Sequence, residues 1–186
     1  MLLLGCRPPG RFTEQHDVFF GIAEQVKDLI PAIKESWKET KGNIHVDAWR
    51  EVNSVDGFSI KIVAKDDRNE KNKRSLFFIN LGGYRENEFD EFHYKLLVVA
   101  SHLEEAKAKA KRTAFFKYNN VAAAVNNLKA FAHIDDKYGI DTDDAFAVVD
   151  ILPLHAQKQF HVVVSNERIS TPEDPIHLGF FKLSNL

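Results

Sequence analysis

Four short motifs pair a histidine with a carboxylate two residues away, and they carry the clearest chemistry in this chain. They are Glu14-x-His16, His45-x-Asp47, Glu91-x-His93 and His133-x-Asp135. In extended backbone the side chains at positions i and i+2 point to the same side, so each motif presents an imidazole beside a carboxylate. Two motifs that meet would offer two imidazoles and two carboxylates. That set suits a divalent zinc, iron or nickel ion, and with a bound water it supports hydrolysis.

A structural interpretation of the same motifs stays open. A histidine at the mouth of a buried strand hydrogen-bonds a carboxylate or a carbonyl and pins a loop, and a motif present in two copies fits shared anchoring as well. The spacing lacks the tight His-Glu-x-x-His or Cys-x-x-Cys pattern of established metal sites. The sequence therefore assigns no catalytic residue. Trp49 and Tyr138 are candidates for lining a pocket beside the histidines.

The motifs recur because the chain contains one pattern twice. At an offset of 77 residues, Leu81-Gly82-Gly83 and Glu91-x-His93 repeat Leu4-Gly5-Cys6 and Glu14-x-His16. At an offset of 88 residues, His133-Ile134-Asp135 matches His45-Val46-Asp47, and Phe146 matches Phe58. The second copy is therefore predicted to carry an insertion, near residues 118–129. The glycines are predicted to end their strands by adopting positive φ.

Hydrophobic periodicity predicts the elements of each copy. Each reads as a strand, a second strand buried on both faces and hence central in its sheet, a helix with an apolar stripe, and a third strand. The predicted strands are residues 2–4, 18–23 and 58–62 in the first copy, and 76–81, 96–100 and 146–151 in the second. Pro31 either lies in the first turn of its helix or kinks that helix.

The resulting fold class is α+β, built from α/β-type units. We predict two tandem strand-strand-helix-strand repeats related by a pseudo-twofold axis, with helices packed on sheet and extra C-terminal strands. The predicted boundaries are residues 1–65 for the first repeat, 66–75 for a polar connecting loop, 76–153 for the second repeat and 154–186 for a C-terminal β extension. Whether the repeats share one sheet stays open.

Composition bounds the class of protein. With 186 residues, 44% hydrophobic and 28% charged, the chain has ordinary globular usage. A formal net charge of −2 argues against a general electrostatic grip on nucleic acid or on an acidic membrane. The single cysteine excludes an intrachain disulfide and favours a reducing compartment, and no apolar stretch approaches the roughly 18 residues of a membrane span. We therefore predict a cytoplasmic protein with no membrane association.

Several of these marks together resemble a known family. They are the Leu-Gly-Gly/Cys turns, the run from Glu14 to Phe20, the two His-x-Asp motifs and residues 135–139, Asp-Asp-Lys-Tyr-Gly. They resemble a bacterial family catalogued as domain of unknown function fifteen forty-three, whose members carry one or two copies of a short α/β unit. The resemblance covers about residues 2–153. It implies a duplication and a bacterial cytosolic setting, and it brings no established activity.

Three functions follow as hypotheses. The first is a non-enzymatic ligand-binding or protein-interaction module, with exposed strands at the tail supporting a homodimer. The second is a metal-dependent hydrolase that uses the histidine and carboxylate set, with a divalent metal as cofactor. The third is a nucleic-acid-associated regulator, resting on the basic residues of 65–74 and of the second helix, against which the charge balance argues. Whether the protein is an enzyme stays open.

Overall fold

A computed structural model describes residues 1–67, 73–84, 87–124 and 141–186 of the chain. The chain divides into two compact units. Unit 1 consists of Met1–Lys71 together with Val149–Leu186, and unit 2 consists of Asn72–Val148. The described part contains three sheets of antiparallel strands and few helices, which confirms the predicted α+β class.

The strands and helices are numbered in chain order. The strands are β1 (Leu2–Cys6), β2 (Gln15–Phe19), β3 (His45–Trp49), β4 (Ser54–Val55), β5 (Phe58–Ala64), β6 (Ser75–Tyr84), β7 (Glu91–Ala100), β8 (Asp141–Ala147), β9 (Phe160–Arg168) and β10 (His177–Lys182). The helices are α1 (Ile30–Ser36), α2 (Leu103–Ala124) and α3 (Leu154–Gln159). The sheet orders are β10-β3-β1-β2 and β4-β5-β9 in unit 1, and β7-β6-β8 in unit 2. None of the described helices is long and apolar enough to cross a membrane.

In the first sheet of unit 1, β1 lies between β2 and β3 and runs antiparallel to both. Successive side chains of a strand alternate between its two faces. The alternation sends Leu2, Leu4 and Cys6 into a core that also contains Ile33 of α1 and Val46 of β3. Gly5, which lies between Leu4 and Cys6, therefore faces the opposite side of the sheet, where the side chains of His45 and Asp47 lie against it. Pro31 lies in the first turn of α1, where its missing N–H costs nothing.

In unit 2, β6 lies between β7 and β8 and runs antiparallel to both. Helix α2 covers this sheet with a stripe of small residues. Ala106 and Ala110 pack into one core with Phe77, Ile79 and Val98. The side chains of the stripe are short, so the helix backbone can approach the sheet closely.

Two predictions about these strands were wrong. The strands predicted to be central, β2 and β7, are edge strands, while β1 and β6 occupy the middle. A continuous apolar run reports burial on both faces of a strand, and it does not report how many strands flank it. Gly5 and Gly82 lie inside β1 and β6 rather than at strand ends, and neither has positive φ.

The pairing registers of the two units correct the predicted repeat. Every pair between β1 and β2 recurs between β6 and β7 at an offset of 77 residues, so that Gly5 opposite His16 corresponds to Gly82 opposite His93. The third strand shifts by 96 residues instead of 88, because Gly5 lies opposite His45 and Gly82 lies opposite Asp141. The match of Phe146 to Phe58 was therefore wrong.

The reason for this error lies in the sheets. Phe146 belongs to β8 of the unit 2 sheet, whereas Phe58 belongs to β5, which pairs with β4 and β9. His133, Asp135 and Tyr138 lie outside the described residues, as does the end of the insertion predicted near 118–129. The backbone of residues 118–124 continues α2. The strands predicted at the tail are β9 and β10, and they pair with β5 and β3 of unit 1.

Candidate metal centre

A row of three residues across the first sheet of unit 1 forms the floor of the candidate site. Gly5 on the middle strand has His16 as its partner on β2 and His45 as its partner on β3. Adjacent strands lie about 4.8 Å apart, so the two histidines face each other across a gap of two strand spacings. A side chain at Gly5 would fill this gap, because its Cβ would collide with the side chains of His45 and Asp47.

Glu14 and Asp47 complete the set, each two residues from its histidine. Nε2 of His16 lies 3.6 Å from Oε2 of Glu14 and 3.3 Å from Oδ2 of Asp47. Nε2 of His45 lies 3.3 Å from Oε1 of Glu14 and 3.1 Å from Oδ1 of Asp47. Each carboxylate therefore spans both imidazoles. We call these four residues the first cluster, and the structure brings together the two motifs whose meeting the sequence left open.

Hydrogen bonding does not account for the two most buried atoms of the first cluster. His45 is only 7% exposed, and its Nε2 is buried without a hydrogen-bond partner, as is Oδ2 of Asp47. Buried polar groups almost always find a partner, because an unsatisfied one costs about 1–3 kcal/mol. The carboxylate oxygens are close enough to His45, but they lie off the direction in which its N–H would point. This arrangement is typical of ligand atoms directed at a common ion.

The chemistry of the donor set in the first cluster suits an ion. The four nitrogen-to-oxygen separations range from 3.1 to 3.6 Å, and each carboxylate directs one oxygen at His16 and the other at His45. Two imidazoles and two carboxylates are donors that zinc and other first-row divalent ions accept. The residues therefore fit such a metal.

The first cluster has a closed side and an open side. The side chains of His45 and Asp47 are 9% and 26% exposed, whereas those of His16 and Glu14 are 42% and 47% exposed. Solvent therefore reaches the cluster past β2 and the loop before it. Cys6 lies next to Gly5 in sequence but faces the core, where burial and then the charge of Glu14 raise the pKa of its thiol. A protonated, buried thiol takes no part in the site.

Unit 2 places a related set around Gly82, which we call the second cluster. It consists of Glu91, His93 and Asp143. Nε2 of His93 lies 3.3 Å from Oδ2 of Asp143 and 4.0 Å from Oε2 of Glu91. The sequence predicted Glu91 and His93 but missed Asp143. The offset of 96 residues between β3 and β8 makes Asp143 the counterpart of Asp47, and only the pairing register reveals it.

The comparisons with known proteins address the family and the fold. Residues 11–62 match the model of the Domain of Unknown Function (DUF1543). The DUF1543 match confirms the resemblance over these residues, and it contains all four members of the first cluster. No curated protein matches the chain.

A solved structure resembles the whole chain. It is described as the crystal structure of a protein Il1583 from Idiomarina loihiensis, with a TM-score of 0.61 and 19% sequence identity, and the match covers 98% of this chain and 94% of that chain. At this identity the likeness shows the fold alone.

Two aromatic contacts with β3, one of them with His45 of the first cluster, come from a strand far beyond the DUF1543 match. The ring of Phe180 on β10 stacks on His45 with centroids 4.0 Å apart and an interplanar angle of 30°. His177 on the same strand stacks on Trp49 at 4.1 Å and 14°. Trp49 also packs against the unit 1 core, and its role in lining a pocket stays a prediction. Sequence reasoning missed Phe180 and His177, because no local signal indicates that β10 pairs with β3.

Proposed function

We propose that unit 1 is a binding centre for a divalent transition-metal ion, with zinc as the ion that its donors fit best. Glu14, His16, His45 and Asp47 hold the ion. The observation that carries the proposal is the buried Nε2 of His45, which lies 3.1 and 3.3 Å from two carboxylate oxygens and makes no hydrogen bond. A bound cation would satisfy this nitrogen and Oδ2 of Asp47, which also lacks a hydrogen bond.

Local charge and local space support the same proposal. The two carboxylates of the first cluster repel each other. A divalent cation bound between them attracts both and outweighs that repulsion. Gly5 keeps the space between the histidines open, which shared structural anchoring does not require. The competing explanation is that both imidazoles are protonated and pair with the carboxylates as cations.

The decisive experiment measures metal in untagged protein. We expect elemental analysis and zinc titration calorimetry to show one more equivalent of tightly bound zinc in the wild type than in His45→Gln. The matched control is His155→Gln, which changes an exposed histidine of α3 and should retain that equivalent. Equal zinc content in the wild type and His45→Gln would exclude the first cluster as a metal centre and favour the paired imidazolium ions.

A metal-dependent hydrolase is the second candidate, favoured by the open side of the first cluster. When bound, the ion supplies Lewis acidity and activates water. Glu14 has the most exposed side chain of the four residues, so it would be placed to accept a proton from water that enters past β2. We expect Glu14→Gln to retain zinc bound by the other three residues and to lose about 10²–10⁴-fold in the rate of ester or phosphoester hydrolysis. If the zinc-loaded wild type hydrolyses neither substrate class, the hydrolase is excluded and the non-enzymatic metal-binding role is favoured.

We further propose that the two units are copies of one ancestral unit, because the β1–β2 pairing recurs residue for residue between β6 and β7. Their pseudo-twofold relation and a bacterial, cytoplasmic setting stay predictions. A homodimer also stays a prediction, supported by β10, an edge strand that exposes Leu178 and Phe180. The nucleic-acid hypothesis loses support, because Lys107 and Lys109 of α2 are paired with Glu104 and Glu105.

A further inference from the structure

The second cluster differs from the first in one donor. Glu91 and His93 correspond to Glu14 and His16, and Asp143 corresponds to Asp47, but the position opposite the glycine holds Asp141 in place of His45. Unit 2 therefore offers one imidazole at the positions where unit 1 offers two. The ligand atoms of Glu91, His93 and Asp143 all lie within 4.8 Å of one another.

Space around the second cluster is kept open in the same way as in unit 1. Gly82 lies opposite His93, and a Cβ at Gly82 would collide with the carboxylate of Asp143. The three side chains are between 31% and 39% exposed, so water can complete the coordination of an ion. Neither the glycine nor this convergence is needed for the strand pairing itself.

We infer that the second cluster is a separate cation site that prefers harder ions than the first cluster does, and that it suits manganese or magnesium. Carboxylate and water oxygens suit these ions, whereas imidazole nitrogens favour zinc, iron and nickel. The inference does not depend on the first cluster, because its donors lie wholly within unit 2. Zinc is expected to bind more tightly than manganese in both units. The two clusters are therefore expected to differ in the ratio of their zinc affinity to their manganese affinity.

The first test uses Mn²⁺ as the probe, followed by electron paramagnetic resonance on the full chain. We expect the bound Mn²⁺ signal to be lost in His93→Gln and in Asp143→Asn and retained in His45→Gln. If the signal is lost in His45→Gln and retained in His93→Gln, the manganese lies in unit 1 and the inference is overturned. If the wild type binds no Mn²⁺, the inference fails, while the zinc measurement on His45→Gln still decides the proposal for unit 1.

A second test exchanges the one position that differs. Asp141→His gives unit 2 the residue types of unit 1, and we expect the preference of unit 2 for Zn²⁺ over Mn²⁺ to rise by at least about tenfold. The matched control is Glu104→His, which adds a histidine to an exposed position of α2. Circular dichroism confirms that each variant is folded. An unchanged preference in folded Asp141→His would refute the selectivity argument, whatever the behaviour of unit 1.

Discussion

At the scale of single residues, both clusters depend on a side chain that is missing. Gly5 and Gly82 sit in the middle of their sheets with ordinary extended backbone, so conformational freedom does not explain them. A larger residue would fill the space above the strand, which is occupied by the side chains of His45 and Asp47 at Gly5 and by that of Asp143 at Gly82. The two glycines are therefore explained by the space that the clusters need, and not by a turn at the end of a strand.

Gly5→Ala is predicted to remove zinc binding from unit 1 while the fold remains. The new methyl group collides only with the side chains of His45 and Asp47 among its nearest neighbours, so these ligands must rotate away while the backbone stays in place. We expect zinc affinity of unit 1 to fall by more than about tenfold, which corresponds to about 1.4 kcal/mol. Titration calorimetry measures the affinity and circular dichroism the fold.

Gly82→Ala serves as the control for that variant. It introduces the same methyl group in unit 2, where the nearest atoms belong to Asp143, and it should leave the zinc affinity of unit 1 unchanged. Full zinc affinity in folded Gly5→Ala would show that the space above Gly5 is not needed by the ion.

Phe180→Ala is predicted to weaken zinc binding without removing any ligand atom. The ring of Phe180 stacks on the His45 imidazole and restricts its rotation, and residues that orient a metal ligand typically contribute about 10–100-fold to affinity. Since Phe180 is itself 65% exposed, we expect the lower end of that range.

Leu178→Ala is the matched control for Phe180→Ala. It truncates a side chain of the same strand that is 76% exposed, and no stacking on His45 is lost. Equal losses of zinc affinity in both variants would attribute the effect to β10 as a whole rather than to the stacked ring.

At the scale of elements, β10 is held in place by the segment before it. Asp174 accepts hydrogen bonds from the backbone N–H and the side-chain amide of Asn53 at 2.7 and 2.9 Å, and from the backbone N–H of Ser54 at 3.1 Å. Partial burial raises the pKa of Asp174, but these hydrogen bonds outweigh burial and hold the pKa below its usual value. The carboxylate thus ties the segment before β10 to the segment between β3 and β5.

Asp174→Asn is predicted to destabilise the protein by about 1 kcal/mol at neutral pH, the usual worth of charge-assisted hydrogen bonds after discounting for partial exposure. A lowered pKa in the folded state means that the stabilisation is present above the unfolded pKa and is lost as the pH falls through the folded one. The difference from the wild type should therefore shrink in acid, as measured by urea unfolding at several pH values.

Glu173→Gln is the control for Asp174→Asn, because Glu173 forms a single exposed ion pair with Arg50. We expect it to change the free energy of unfolding by less than Asp174→Asn does. A difference between Asp174→Asn and the wild type that persists unchanged at the lowest pH would contradict the role of the charge.

The sequence predicted those features of the strands that depend on neighbouring residues alone. The i, i+2 motifs placed Glu14 beside His16 and His45 beside Asp47 correctly, since extended backbone alone fixes that relation. Pairing between distant segments carries no local signature, so Phe180 and the counterpart role of Asp143 were missed. His133-Ile134-Asp135 is a better sequence match to His45-Val46-Asp47 than Asp141-Thr142-Asp143 is, yet the strand that pairs with β6 is β8.

The start of α2 shows the same limit on a smaller scale. The motif Ser101-His102-Leu103-Glu104 is typical of a capping box, in which the serine caps the helix and the glutamate reaches back. In the structure His102 accepts the backbone N–H of Glu105 through Nδ1, and Glu105 accepts from the backbone N–H of Ser101. The side chain that caps the helix is therefore that of His102 instead of Ser101, since a histidine nitrogen can also accept a hydrogen bond.

At the scale of the whole molecule, each unit carries its own cluster, and metal binding is therefore predicted to stabilise the chain in separable increments. A ligand that binds only the folded state stabilises it by about 2.7 kcal/mol at 100 times its Kd. We expect zinc to raise the Tm in scanning calorimetry, EDTA to reverse the rise, and His45→Gln to remove the part that the first cluster supplies.

The dependence of this zinc effect on pH separates a metal centre from a pair of protonated imidazoles. Metal ligands must be free of protons, so zinc binding releases protons and the gain in Tm should shrink as the pH is lowered from neutral. If the imidazoles of His16 and His45 were instead engaged only with the two carboxylates, their Nε2 atoms would not be free to bind zinc. The wild type would then gain little Tm from zinc at neutral pH, and His45→Gln would respond to zinc as the wild type does. A metal ion between Glu14 and Asp47 predicts three results together. Zinc raises the Tm of the wild type strongly at neutral pH, the rise becomes smaller in acid, and His45→Gln loses the part of the rise that the first cluster supplies.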